Sequence, residues 1–472
     1  MWIKMNRKMK RLKNVHFVGI GGSGMSGIAE VMIGLGYKVQ GSDIKMSDQL
    51  ERLRSLGAKI YISHSPLNIK NADALVVSSA INEKNSEVIE AKKKMLPVVA
   101  RAEMLAELMR FYHSIAISGT HGKTTTTSLV ATLLAEGGLD PTYIIGGCLK
   151  SSNSHAKLGT GEYLVAEADE SDASFAHLKP MISVVTNIDL DHMSTYDNNI
   201  EKLNSGFIEF LHNLPFYGLA IICIDDKGVK KIKHRIARSV ITYGISEKAD
   251  IRAENIEFKN TYTTFDVIRK NITERLNIKI NLPGLHNVQN ALAAIAVATE
   301  LNLSNTSIKK ALKTFSGIDR RFQITENLPI KNGKATLIDD YGHHPTEILA
   351  TLNAIRSGWG DKKITLLFQP HRYTRTKDLF PDFVDALSMT DQLIVTKIYA
   401  AGEEPIKGFS GEKLVKTIKK EKKIDPIYIN SLEDSINIIN QIVNDGDILL
   451  LMGAGDIGSF VKDLPKLLRV AL

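Results

Sequence analysis

One glycine-rich loop carries the strongest chemical signal in the sequence. The segment SGTHGKTT at 118–125 lies between a predicted strand and a predicted helix. Its glycines let successive backbone N–H groups point at phosphate oxygens, Lys123 can neutralise terminal phosphates, and the Thr124 hydroxyl can bind Mg²⁺. The spacing is a shortened GxxGKT, because Ile117 stands where the first glycine of the usual GxxxxGK[ST] loop would be. The pattern favours a nucleotide triphosphate site over a glycine turn with a solvated lysine.

Acidic residues follow two predicted strands downstream of this loop. EADESD at 167–172 ends the first strand, and TNIDLDH at 186–192 ends the next. Such strand ends can place carboxylates beside the loop, and Mg²⁺ prefers oxygen ligands that include substrate phosphates. Taken singly, each acidic residue is better explained as a solvated charge or a helix cap, and His192 as an ordinary polar contact. Together with Lys123, the segments predict at least one metal ligand.

A second glycine motif, GIGGSG at 19–24, also follows a predicted strand and opens a helix. Its backbone can approach a pyrophosphate at the helix N-terminus, and Asp43 ends the next strand, where a ribose hydroxyl would be held. The motif predicts a dinucleotide or a nucleotide-sugar diphosphate, with a purely structural tight turn as the alternative. GAGDIG at 453–458 repeats the pattern, but too little chain follows to complete a βαβ unit, so a structural turn is favoured there.

Strand, glycine turn and amphipathic helix alternate from end to end, which predicts an α/β fold with mainly parallel sheets. A chain of 472 residues is too long for one hydrophobic core, and we expect three domains. The strand patterns restart after the helical AEMLAELMR and again near Gly317 to Arg321. The predicted domains are therefore 1–112, 113–318 and 319–472.

The composition excludes several classes of protein. Cys148 and Cys223 are far apart and belong to no CxxC or Cys/His pattern, which argues against a disulfide framework or a zinc site and fits a reducing cytoplasm. The net charge of +8 is spread along the chain without an aromatic-interleaved basic stripe, so no nucleic-acid partner is expected. No apolar run reaches the roughly 18 residues of a membrane span, and the glycine-rich start does not resemble a signal peptide. We expect a cytoplasmic monomer or homodimer without membrane insertion.

The motifs taken together resemble the Mur ligase family over almost the whole chain. GTHGKTT, EADESD, TNIDLDHM, GLHNVQNALAA, IDRRFQ, DDYGHHPTE and FQPHRYTRT occur in that family's order. The resemblance implies a Rossmann-like amino-terminal domain for a UDP sugar, a central P-loop-type ATPase domain, and a Rossmann-like carboxy-terminal domain that helps to hold an amino acid. GIGGSGMSG, DDYGHHP and HRYTRT resemble the branch that joins L-alanine to the lactyl carboxylate of UDP-N-acetylmuramate, through an acyl phosphate, in peptidoglycan precursor synthesis.

The resemblance also implies ATP and Mg²⁺ as cofactors and assigns roles to individual residues. Lys123 is the phosphate lysine, and Thr124, Glu167 and His192 are the magnesium contacts. The ATP-binding set is Gly119, Thr120, His121, Gly122, Lys123, Thr124, Thr125, with Asn287 and Asn290 on the adenine side and Arg321 reaching the phosphates. The UDP-sugar set is Gly21, Gly22, Ser23, Gly24, Asp43, Ser78 and Ser79.

Four residues of the third domain match positions expected around the incoming alanine and the acyl phosphate. They are Tyr341, His343, Arg372 and Arg375, of which the last three join Lys123 as predicted catalytic residues. The alternative is that DYGHHP is a loop of capping residues and that the arginines are surface charges. The base that takes the amine proton is left open between His343 and a nearby carboxylate.

Several sibling ligases carry a carbamylated lysine after the histidine strand, whereas the segment from Asn204 to Leu211 contains no lysine. We therefore predict no modified lysine. Three other functions stay open: a family ligase that attaches a recycled peptide to the same UDP sugar, an NAD-dependent dehydrogenase, and a non-catalytic UDP-sugar sensor. The dehydrogenase is supported only by GIGGSG and Asp43 and leaves GKTT unexplained.

Overall fold

The structure is a computed structural model that describes residues 8–78, 80–421 and 424–470. Ser79, one of the predicted UDP-sugar residues, lies outside the described residues. The chain forms two compact units. The first comprises Met1–Glu254, Val267–Leu276 and Gln289–Phe315, and the second comprises Asn255–Asp266, Asn277–Val288 and Ser316–Leu472. Among the described residues, no helix has both the length and the apolar character to cross a membrane.

The first sheet of the first unit has five parallel strands. Strands β1–β5 span Asn14–Val18, Lys38–Asp43, Lys59–Ile62, Ala74–Val77 and Val98–Ala100. Helices α1–α4 span Ser23–Gly34, Asp48–Ser55, Ser86–Lys93 and Arg101–Met109. The strand order is β3-β2-β1-β4-β5, which matches the first five strands of the Rossmann order 3-2-1-4-5-6. The central strand β1 is a short, almost wholly buried run because helices cover both faces of a parallel sheet.

The second sheet has ten strands. Strands β6–β15 span His113–Ser118, Thr142–Leu149, Ser154–Lys157, Tyr163–Glu167, Ile182–Val185, Leu219–Cys223, Ser239–Gly244, Ile251–Phe258, Thr263–Arg269 and Ile272–Ile280. Helices α5–α9 span Lys123–Glu136, Ile200–His212, Lys227–Ile232, Leu285–Glu300 and Asn305–Thr314. The order is β15-β14-β13-β12-β11-β10-β6-β9-β7-β8. Along this order, each strand from β13 to β7 is parallel to the next, and the last strand, β8, is antiparallel to β7.

Within the first unit, the two sheets share one hydrophobic core. Ile28 and Met32 of α1 belong to the same buried cluster as Ile144 of β7 and Ala156 of β8. Helix α1 therefore rests on the β7–β8 hairpin. This packing matters for the site because α1 is the helix that the GIGGSG loop opens.

The third sheet lies in the second unit. Strands β16–β21 span Gln323–Ile330, Gly333–Asp340, Ile364–Phe368, Gln392–Thr396, Ile427–Ile429 and Ile448–Met452. Helices α10–α15 span Pro345–Trp359, Tyr373–Asp378, Phe380–Leu387, Gly411–Lys420, Ser435–Ile442 and Ile457–Val470. The order is β16-β17-β21-β18-β19-β20, with β16 and β17 forming an antiparallel hairpin and the other neighbours parallel.

Both faces of the third sheet are buried, because consecutive strand residues enter different cores. Leu366 and Leu450 belong to one cluster, and their neighbours Leu367 and Leu451 belong to another. Alternation of this kind follows from the two-residue period of a strand. The predicted α/β class with three domains and mainly parallel sheets is confirmed, while the domain boundaries 1–112, 113–318 and 319–472 stay predictions.

Candidate functional site

The GTHGKTT loop links the end of β6 to the start of α5. Gly122 has a left-handed φ of +80°, and an added Cβ would lie 2.5 Å from Asn290 Oδ1. Gly119 has a φ of +128°, and its Cβ would lie 2.1 Å from Thr186 Oγ1. Only glycine meets both demands, because a side chain would be strained and would clash. The loop therefore leads directly into a helix N-terminus, where backbone N–H groups favour phosphate.

The TNID segment after β10 holds this loop in place. His121 N donates to Asn187 Oδ1 at 2.8 Å, and Thr120 N donates to Asn187 O at 3.1 Å. The Thr186 hydroxyl donates to His121 O at 2.7 Å, and Asp189 N donates to Thr120 Oγ1 at 2.9 Å. The sequence predicted metal ligands in this segment and missed its bracing role. The polar pair Thr-Asn directly after a buried strand was the signal for it.

Lys123, the first residue of α5, is engaged by a buried carboxylate. Its Nζ lies 2.9 Å and 2.7 Å from the two oxygens of Glu170. The same ammonium donates to Gly119 O at 2.7 Å and to Thr120 O at 3.2 Å. Burial lowers the pKa of Lys123, but the charges of Glu170 and Asp169 outweigh it and hold that pKa above its ordinary value. The lysine is therefore a cation held against its own loop.

The predicted magnesium contacts lie around the carboxyl ends of three neighbouring strands. Thr124 is in the first turn of α5, Glu167 is the last residue of β9, and His192 follows β10. Glu167 opposes Ile117 in the parallel register of β6 and β9, so it lies level with the start of the loop. His192 Nε2 is 3.4 Å from Asp191 Oδ2. Hydroxyl and carboxylate oxygens beside a phosphate loop suit Mg²⁺, so the donor set fits this ion, and the three contacts stay predictions.

The GIGGSG loop is tied to the end of β2. Gly19 N and Ile20 N donate to Ser42 O at 2.8 Å and 3.1 Å, and Gly21 N donates to Asp43 Oδ2 at 2.8 Å. Asp43 therefore braces the loop, and its contact with a ribose hydroxyl stays a prediction. Helix α1 begins immediately afterwards. The predicted UDP-sugar residues Gly21, Gly22, Ser23 and Gly24 all lie at this turn.

A fully buried carboxylate supports the strand that carries Asp43. Glu87 accepts hydrogen bonds from Ser42 Oγ at 2.5 Å and Asn68 Nδ2 at 2.6 Å, and it lies 3.2 Å from His16 Nε2. Burial raises the pKa of Glu87, but the hydrogen bonds from His16, Ser42 and Asn68 together lower it to about 2. Glu87 is therefore ionised inside the first sheet. It holds β2 beneath the glycine loop.

Arg101 is a candidate binding residue that the sequence analysis did not identify. Its guanidinium lies against the GIGGSG loop, where a Cβ added to Gly24 would be 3.1 Å from Nη1. Its Nη2 lies 3.4 Å from Asp169 Oδ2. A cavity of about 240 Å³ beside it is lined in part by Ser78 and Asp172. The available signal was its position directly after β5, at the same sheet edge as the loop.

In the second unit, aromatic and cationic side chains cluster at the end of β17. The guanidinium carbons of Arg321 and Arg320 lie 5.0 Å and 5.3 Å from the centre of the Tyr341 ring. The ring of His343 is 5.4 Å from that of Tyr341. Capping of α10 falls to Glu347, whose Oε2 accepts from His343 N at 2.9 Å, and to His344. Tyr341 and His343 therefore do not cap the helix with their own side chains.

The HRYT segment after β18 extends this cluster. The ring of His371 lies 5.5 Å from that of His343 and stacks on Tyr399 at 5.6 Å. Arg375 Nη1 is 3.2 Å from His371 Nδ1, and Arg375 is buried. Arg372 instead has Nη1 3.6 Å from Glu403 Oε1. Arg375 is therefore not a surface charge, whereas the Arg372 side chain is 45% exposed, and the substrate roles of both arginines stay predictions.

The two asparagines of the HNVQN segment differ in their surroundings. Asn290, in the first unit, accepts from Thr126 Oγ1 at 3.2 Å and borders Gly122. Asn287, in the second unit, is buried and donates from Nδ2 to Pro283 O at 2.8 Å. Their adenine contacts stay predictions. The GAGDIG loop packs closely as well, since a Cβ on Gly453 would lie 2.7 Å from Gln369 O, which agrees with a structural turn.

Comparison with known proteins agrees with this geometry. Three family models match the chain: the Mur ligase family catalytic domain at 14–113, the Mur ligase middle domain at 117–298, and the Mur ligase glutamate ligase domain at 320–455. The solved UDP-N-acetylmuramate–alanine ligase of Thermotoga maritima is 28% identical with a TM-score of 0.82, over 98% of this chain and 100% of that one.

Two further structures share the fold. A murein peptide ligase from Psychrobacter arcticus is 24% identical with a TM-score of 0.71, over 97% of this chain and 98% of that one. The MurF ligase of Thermotoga maritima, solved in complex with ADP, is 16% identical with a TM-score of 0.64, over 92% of this chain and 96% of that one. With all three family models matched in order along its length, the chain belongs to the Mur ligase family of ATP-dependent ligases.

Proposed function

We propose that this protein joins L-alanine to the lactyl carboxylate of UDP-N-acetylmuramate, with conversion of ATP to ADP and phosphate, during peptidoglycan precursor synthesis in the cytoplasm. The observation that carries the proposal is the presence of two phosphate-type loops in one unit. Lys123 of the GTHGKTT loop pairs with Glu170, and the adjacent Asp169 pairs with Arg101 beside the GIGGSG loop. The choice of alanine rests on the DDYGHHP and HRYTRT segments and on similarity to the alanine ligase of Thermotoga maritima.

The first step activates a poor acyl donor. A free carboxylate would have to expel oxide, so the γ-phosphoryl group of ATP is first transferred to a lactyl carboxylate oxygen, which yields an acyl phosphate and ADP. Positioning and charge neutralisation dominate such transfers. Lys123 supplies a partly buried positive charge, and the backbone N–H groups at the start of α5 hold the phosphates. Mg²⁺, held by Thr124, Glu167 and His192, would neutralise further phosphate charge.

The second step forms the amide bond. The neutral amine of alanine attacks the acyl carbon, and phosphate leaves as the carbonyl re-forms. The oxyanion of the tetrahedral intermediate needs positive partners, a role we assign to Arg372 and Arg375. His343 is our candidate for the base that takes the amine proton. Its Nδ1 lies 3.0 Å from Tyr341 O, so the neutral ring carries its proton on Nδ1 and its lone pair on Nε2, as a general base requires.

The decisive measurement is ADP release by the purified protein with ATP, Mg²⁺ and UDP-N-acetylmuramate. Parallel reactions contain L-alanine, a peptide amine, or no amine. Release that requires both the UDP sugar and L-alanine supports the proposal. Stimulation by the peptide amine and not by alanine would replace it with a peptide-recycling ligase, and absence of release in every reaction would favour a sensor.

A further inference from the structure

Protein acceptors surround the ammonium group of Lys123. An ammonium group has three N–H donors. The Nζ of Lys123 has four acceptors within 3.2 Å, namely both carboxylate oxygens of Glu170, Gly119 O and Thr120 O. Every donor is therefore directed at the protein. A nucleotide phosphate can be bound by this lysine only if one of these acceptors is given up.

The carboxylate of Glu170 is the acceptor that competes most directly with phosphate. Both are anionic oxygens, whereas the two backbone carbonyls are neutral and belong to the loop itself. The Glu170 side chain is 4% exposed, so water does little to screen its attraction for Lys123. Asp169, the neighbouring carboxylate, pairs with Arg101 and adds negative charge near Lys123 without a hydrogen bond to its Nζ among those found.

Building on the proposed ATP-dependent activity, we infer that Glu170 is a positioning residue that holds the side chain of Lys123 folded back against its own loop. Nucleotide binds by exchanging a phosphate oxygen for the Glu170 carboxylate. This position keeps the partly buried lysine charge paired when no nucleotide is present, because an unpaired charge away from water is costly. The same pairing lowers the affinity for nucleotide, since the ion pair must open before Lys123 can contact phosphate.

Removing the carboxylate of Glu170 is expected to strengthen nucleotide binding. Glu170→Gln keeps the size of the side chain but removes its charge. Calorimetry with ATP in the presence of a chelator is expected to show a Kd about tenfold lower than in the wild type, or about 1.4 kcal/mol. The steady-state KM for ATP with Mg²⁺ is expected to fall as well. Glu201→Gln is the matched control, because it makes the same change at an exposed side chain, and its Kd should stay within about twofold of the wild type.

A double-mutant cycle separates the contact with Lys123 from a general effect of charge. In a Lys123→Met background, Glu170→Gln is expected to change the Kd for ATP by less than about threefold. An undiminished gain in that background would overturn the inference, because the effect would then come from charge removal alone. A Kd in Glu170→Gln that equals or exceeds the wild-type value would overturn it too.

Two further outcomes are a Glu170→Gln variant that does not fold and a wild-type protein that does not bind ATP. If Glu170→Gln fails to fold, Glu170→Asp serves instead, because its shorter side chain retains the charge but cannot keep both contacts. Its Kd for ATP is expected to be lower than that of the wild type, and an unchanged or higher Kd would overturn the inference. A wild-type protein that binds no ATP would refute the proposed function itself, whereas normal ATP binding without any effect of Glu170→Gln refutes only the exchange.

Discussion

Replacing Glu87 with glutamine is expected to destabilise the first sheet of the first unit. The pKa of Glu87 falls from its ordinary value of 4.5 to about 2 in the folded protein. Since a tenfold change in proton affinity corresponds to about 1.4 kcal/mol, ionised Glu87 contributes about 3 kcal/mol to folding at neutral pH. Glutamine has the same size, but its amide group would face donors from Ser42 and Asn68 and could satisfy only some of them.

The lowered pKa of Glu87 also determines how the stability of the first sheet depends on pH. Because the folded pKa is depressed, the contribution of Glu87 is complete above about pH 4.5 and is lost as the pH falls toward about 2. Wild-type protein should therefore lose stability in the first sheet across this acidic window. In Glu87→Gln that part of the acid sensitivity should disappear, since no carboxyl group remains to be protonated.

Amide hydrogen exchange followed by mass spectrometry measures the stability of individual segments of the first sheet. At pH 7, peptides that cover β1 and β2 should exchange about two orders of magnitude faster in Glu87→Gln, if exchange proceeds through opening of the sheet. Peptides of β18 in the second unit provide an internal standard. Glu83→Gln is the matched control, because the Glu83 side chain is 86% exposed and pairs only at the surface with Lys92. Unchanged exchange of β1 and β2 in Glu87→Gln would show that the buried network does not hold the strand, and would refute the reasoning.

Three other substitutions test the GTHGKTT loop of the first unit and a buried carboxyl group of the second unit. Lys123→Ala should lower kcat for ADP release roughly a thousandfold, as the loss of a preorganised charge costs about 3 to 4 kcal/mol, and near-normal kcat would remove Lys123 from the mechanism. Gly122→Ala should weaken ATP binding at least tenfold in calorimetry, because its Cβ would lie 2.5 Å from Asn290 Oδ1 at a φ of +80°; wild-type affinity would contradict the tight loop geometry. Burial raises the pKa of Asp340 to about 6, so the second unit should lose stability as the pH rises from about 4 to 6, and Asp340→Asn should abolish this trend. Urea unfolding monitored by tryptophan fluorescence in a Trp2→Phe background, where Trp359 is the one remaining tryptophan, tests it, since Trp359 stacks on Phe322, whose N–H donates to Asp340. An equal pH trend in both proteins would exclude Asp340 as the cause.

Much of the fold could be predicted because its signals are local. Short apolar runs separated by glycine turns and amphipathic helices indicate parallel α/β layers, and both glycine loops were placed correctly between a strand and a helix. Gly122 illustrates why: a left-handed backbone position depends on the residue at that position and its immediate neighbours. The β16–β17 hairpin and the antiparallel β8 were not predicted, although each pairs with its neighbour in sequence and Asn332-Gly333 at the β16–β17 turn is a local hairpin signal.

The partners of the site residues could not be predicted, because they come from segments that are distant in sequence. The sequence alone predicted a phosphate loop at Lys123, and it placed Asp43 at the end of one strand and acidic segments after two others. Only the tertiary structure decided that Glu170 engages Lys123 and that Arg101 lies beside the GIGGSG loop. The residues of a glycine loop are consecutive in sequence, whereas these contacts depend on which strands become neighbours in the sheet. The strand order is selected by the burial of side chains that are distant in sequence.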